Sequence, residues 1–152
     1  MIAAIVVLLL VILLVILLMR RRAHDQWRDD AGGAVSEARR LIQVVTRGLA
    51  TVAQPAAAAQ TWAEAEGHGA QLHSRFLNLM AKPPNPQLGG AVSTSDRSLQ
   101  ALRAAVDSDR GLRLGPPAPT EAQLSYSEAV VRERATEFNQ AVVELSANLT
   151  AR

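Results

Sequence analysis

An unbroken apolar run from Ile2 to Met19, built only of Ala, Ile, Val, Leu and Met, constrains this chain more than any other feature. As a helix, its eighteen residues would span about 27 Å at 1.5 Å per residue, close to the roughly 30 Å hydrocarbon core of a bilayer. β-Branched residues lower helix propensity in water, but in lipid every peptide group must be paired within the segment, so helix is the form left to it. A cleavable signal peptide would need a basic region ahead of the run and a small-residue cleavage site behind it. Only Met1 precedes the run, and Arg20, Arg21 and Arg22 follow it. The expectation is an uncleaved anchor with a basic stop over residues 1–22. With no Lys or Arg ahead of it, the positive-inside rule places the N-terminus outside and the C-terminal domain in the cytoplasm, as a single-pass protein of the cell membrane. Arg20, Arg21, Arg22 and Trp27 are the expected membrane-interface residues, the indole among headgroups and the arginines against anionic lipid. The run carries no Gly and no polar residue, so neither a small-residue dimer seam nor an ion path is written in it.

Charge acquires meaning only once this segment is set aside. The chain holds 16 Lys+Arg and 14 Asp+Glu, and removing Arg20–Arg22 leaves 13 basic residues against 14 acidic ones in residues 23–152. The basicity is local to the anchor, and no nucleic-acid partner is expected. With no cysteine in the chain, disulfide frameworks, thiolate metal sites and cysteine nucleophiles are all excluded.

Residues 23–33, with Gly32-Gly33 as a kink, read as a juxtamembrane connector, and residues 34–152 as a cytoplasmic bundle. Pro55, PPNPQLGG at 83–90 and GPPAP at 115–119 divide the remainder into four helical stretches. The first, roughly 34–53, places Val35, Ala38, Ile42, Val45, Leu49 and Val52 at alternating spacings of three and four. The second, roughly 56–82, does the same with Trp62, Ala65, Gly69, Leu72, Phe76 and Leu79, and Pro55 suits its first turn. Thr94 or Ser95 can cap a shorter third, roughly 95–112, with Leu99, Leu102, Val106 and Leu112 on its face. Thr120 can cap the fourth, which runs to about 150 with Leu124, Val131, Ala135, Phe138, Val142, Leu145 and Leu149 on one side. No stretch shows sustained period-two alternation, so the fold class expected is all-α: an N-terminal transmembrane helix followed by an antiparallel bundle of about four helices. The expected core comprises Ile42, Val45, Leu49, Trp62, Leu72, Phe76, Leu102, Val131, Phe138, Val142 and Leu145, with Phe138 against the first and second helices. Alanine-rich seams with Gly67 and Gly69 imply closely approaching helices. The same stripes also allow a coiled-coil homo-oligomer.

Residues able to carry chemistry are sparse. His68 and His73 are five apart, about 140° around a helix, and do not make the i, i+4 pair that grips a metal. Glu64 and Glu66, and Asp107 and Asp109, are each two apart and read as solvated faces. No serine sits in a nucleophile-elbow context and no glycine loop is shaped for phosphate. No catalytic residue, metal or cofactor is expected, and the chain does not read as an enzyme. Its leading reading is a membrane-anchored adaptor or scaffold for a protein partner that the sequence does not name. The alternative is a tethered bundle that binds a metal or ligand through residues converging only in three dimensions.

The stretch ERATEFNQAVVELSANL at 133–149, with Phe138-Asn139 followed by Gln140, Ala141 and Val142, resembles the last helix of LemA-family membrane proteins. LQALRAAVDSDRGLRL at 99–114, AQLSYSEAVVRER at 122–134 and SEARRLIQVVTRGLATVA at 36–53 are similar to other helices of that family. Ala23-His24-Asp25 stands where the family has a Tyr-Asn pair, and Ser108-Asp109-Arg110-Gly111-Leu112 where it has a Tyr-Pro-Asp-Leu-like connection. Leu41-Ile42-Gln43-Val44-Val45 replaces its Ile-Pro-Asn-Leu-Val-like stretch. The resemblance implies an N-out membrane protein with a cytoplasmic antiparallel bundle and no assigned catalysis.

Overall fold

In the computed structural model the described residues are 2–50 and 55–151, with the side chains of 2–12, 16, 20 and 55–59 outside that description. They form four helices, α1 (Ile2–Ala50), α2 (Pro55–Ala81), α3 (Pro86–Leu114) and α4 (Glu121–Thr150), and no strand. Each helix touches its two chain-order neighbours on a square, α1 with α2 and α4, and α3 with α2 and α4. Cross-helix bonds fix the antiparallel pairing: from the middle of α1, Trp27 Nε1 donates to Leu79 O near the end of α2 at 3.0 Å, and from the start of α3, Gln87 Nε2 donates to Asn148 Oδ1 near the end of α4 at 3.0 Å. The chain is thus an all-α, antiparallel four-helix bundle, closed because four single-stripe helices can bury their stripes only against one another.

Local chemistry sets most of the boundaries. Pro86 occupies the first turn of α3, where a missing N–H costs nothing, and the Asn85 side chain accepts from Leu88 N at 2.8 Å. Thr120 and Gln123 form a reciprocal capping box at the start of α4. The α3 cap lies about nine residues before the expected start at Thr94 or Ser95, because the helix absorbs Gly89 and Gly90 instead of breaking at them. Ser95 is no cap; it is buried within α3 and donates to Ala91 O and across to Ala141 O.

The largest departure concerns residues 23–33, which are no connector. α1 runs through them, Gly32-Gly33 included, and Trp27 and Ala31 lie in the core. Alternation of Trp27, Ala31, Ala34, Val35 and Ala38 extends the apolar stripe two turns below the expected start of the bundle.

One contiguous cluster makes the core. Val45, Trp62, Leu72, Phe76, Leu102, Val131, Phe138, Val142 and Leu145 are all buried in it, while Ile42 and Leu49 are partly buried against its edge. Val52 lies outside the described residues. Phe138 is fully buried in this cluster, on a helix that flanks α1 and α3 and lies diagonal to α2. Close approaches occur at Gly48, where a Cβ would come within 2.9 Å of the Trp62 ring, and at buried Gly69, where it would come within 3.1 Å of the Arg103 stem, whereas Gly67 is exposed with nothing within 4 Å.

Candidate functional site

The apolar stripes leave two ends and a set of polar seams in which a site can form. The basal end is the one from which the first part of α1 projects. There the described side chains from 13 to 26 are exposed except for half-buried His24, and they include Leu13, Leu14, Val15, Leu17, Leu18 and Met19. Most of the apolar run lies outside the described side chains, and among the described residues no helix is long and apolar enough to cross a membrane. Arg21 and Arg22 are exposed, and the Arg20 side chain lies outside the described residues.

Trp27, expected among headgroups, is instead buried, because the α2 terminus supplies a free carbonyl at Leu79 for its indole N–H. Arg28, one residue on, reaches Ala151 O at 3.5 Å. Beside them opens a crevice of about 450 Å³ lined by Ala23, His24, Trp27, Lys82 and Pro84. This crevice is a contact between α1 and the α2–α3 turn, which the sequence gives no means of bringing together.

Along the α1–α2 and α2–α3 seams, histidines pair with acids. His68 Nδ1 lies 2.5 Å from Glu37 Oε1, and its Nε2 is 3.8 Å from Glu64; His73 Nδ1 lies 2.7 Å from Asp96 Oδ1. Each histidine thus bridges two helices. Glu66 meets Arg110 at 3.2 Å, so the two glutamates of α2 point to different partners. Among the described residues no group of three or more His, Asp or Glu comes together as a metal site would require.

At the distal end the structure contradicts the solvated reading of Asp109. Asp107 is exposed, whereas Asp109 is fully buried and accepts two bonds from Arg113, at 2.8 and 3.2 Å, one turn along α3. Arg113 also donates to Glu128 of α4 at 3.0 Å. Burial pulls the Arg113 guanidinium down, but the bonds to Asp109 and Glu128 outweigh it and hold the group above its ordinary range. The cluster ties α3 to α4 through a charge-assisted fork. The i, i+4 spacing of Asp109 and Arg113 is the signal that could have found it.

A shallow groove of about 490 Å³ runs between α1 and α4, lined by Ile42, Leu49, Arg132 and Ala135 among others. It exists because Ile42 and Leu49 are only half covered where these two helices meet. No nucleophile with an adjacent base stands in it. Comparison with protein-family models, with curated proteins and with solved structures gives no match for this chain.

Proposed function

We propose that the chain is a membrane-anchored adaptor or scaffold, LemA-like, that holds a helical bundle against the cytoplasmic face of the membrane for protein partners and performs no catalysis itself. The observation that carries this reading is the continuity of α1. One helix passes from the exposed leucines and Met19 into the core at Trp27 without an intervening linker. Residues 2–26 extend about 37 Å below the core, and the apolar run that ends at Met19 supplies about 27 Å of this, close to a hydrocarbon core of about 30 Å. An exposed helical face of Leu13, Leu14, Leu17 and Leu18 is costly in water and favourable in lipid. The LemA resemblance of residues 133–149 supports the same reading.

A single cysteine at exposed Ser74 provides the test, since the chain has none of its own. Ser74→Cys is expected to react with a membrane-impermeant maleimide in inverted vesicles and to be protected in intact cells. Labelling from outside intact cells would reverse the orientation, and a soluble mature form beginning near residue 23 would replace the anchor by a signal peptide.

A further inference from the structure

We propose that the basal crevice between α1 and the α2–α3 turn binds the phosphate of an anionic lipid headgroup. The proposal rests on the anchored reading and names the lipid chemistry that the bundle would meet there.

Three observations converge on it. The crevice, at about 450 Å³, is within the usual range of small-ligand sites, about 300–1,000 Å³. Its polar lining is His24 and Lys82. Lys82 is the only lysine in the chain, is exposed, and has no ion pair among the described residues. A compact ammonium with three rotatable donors suits a phosphate approached from one side, and Pro83 and Pro84 stiffen the turn that carries it. His24 is half-buried and offers at least one ring N–H in either protonation state. The Trp27 indole, its N–H committed to Leu79 O, forms a fixed apolar wall.

Height along α1 decides between a headgroup and the cytosol. His24 is five residues beyond Met19, about 7.5 Å along the axis. The headgroup layer of each leaflet is itself about 5–8 Å thick, so an anchor ending at Met19 sets the His24 side of the crevice at the outer part of that layer, where it opens toward the headgroups. Charge is sorted in the same direction. Arg21, Arg22, His24 and Lys82 lie at or below the crevice, whereas Asp29 and Asp30 are a turn or more above His24, which leaves Asp25 as the acid at its level. The competing account is diffuse attraction of flanking arginines to any negative surface, which has no preference for phosphate and is screened by salt.

The experiment uses the full chain in phosphatidylcholine vesicles, alone or with phosphatidylglycerol, or with cholesteryl hemisuccinate as a carboxylate control at matched zeta potential. Acetylation of Lys82 is followed on peptide 76–97, which trypsin leaves whole because Pro83 follows the lysine. Phosphatidylglycerol is expected to slow acetylation about fivefold or more, and the carboxylate control much less. His24→Gln should lose most of the protection while the chain still floats with the vesicles and melts as before. Equal protection by phosphate and carboxylate surfaces, or protection untouched by His24→Gln, would overturn the site and leave the anchor standing. Protection by millimolar inorganic phosphate in phosphatidylcholine, without an effect of phosphatidylglycerol, would overturn the headgroup as the source. A chain that floats with none of the vesicles would instead overturn the anchored reading.

Discussion

The two tryptophans close opposite ends of the bundle by different physics. Trp27, at the basal end, is 8% exposed and spends its indole N–H on the terminal carbonyls of α2, through Leu79 O. Trp62, at the distal end, is 2% exposed, and its Nε1 finds no hydrogen-bond partner among the described residues. Its ring comes so close to Gly48 that a Cβ there would stand 2.9 Å from Cζ3. One end is therefore held by a directional bond that also satisfies a helix terminus, and the other by packing, with the Asp109–Arg113–Glu128 fork joining α3 to α4 at that same end. The difference shows that an aromatic with a polar atom need not mark an interface with lipid: an unpaired carbonyl at a helix end serves its N–H equally well.

Denaturant unfolding of the full chain in detergent separates the two modes. Trp62→Ala should have the largest effect, about 3–5 kcal/mol, because a fully buried ring is lost where α1 and α2 come closest. A loss as small as that of an exposed substitution would mean that the distal end is not closed through this ring. Asp109→Ala should cost about 3 kcal/mol by leaving Arg113 largely buried with only Glu128 opposite it. If Asp109→Ala instead matches Asp107→Ala, the fork contributes nothing and the contrast between the ends rests on tryptophan alone.

Trp27→Phe keeps much of the ring and removes the N–H, so about 1–2 kcal/mol is expected from the lost bond to Leu79 O. Trp62→Phe removes no such bond among the described residues, and a bond-specific penalty equal to that at Trp27 would erase the distinction. The smallest effects should differ in sign. Gly48→Ala must displace the Trp62 ring and is expected to destabilise by about 1 kcal/mol after its gain in helix propensity. Gly32→Ala meets nothing within 4 Å on an exposed helical face and should stabilise by about 0.5–1 kcal/mol. Two shifts of the same sign in thermal melting would show that the α1–α2 approach at Gly48 is not tight.

Helix class and most of the core were legible in the chain itself, since periodicity and caps are local properties. The α2 stripe of Trp62, Ala65, Gly69, Leu72, Phe76 and Leu79 is buried throughout as its spacing required, and Thr120 caps α4. Glycine and proline were the misleading signals. Gly32-Gly33 and Gly89-Gly90 read as breaks because each glycine weakens an isolated helix, yet tertiary packing carries helix through both pairs. Partner choice lay beyond the sequence for a different reason. Whether Trp27 meets lipid or Leu79 O, and whether Lys82 stands beside His24, depend on which helix ends are brought together across fifty or so residues. That juxtaposition follows from how four stripes close on one core, and no local pattern encodes it.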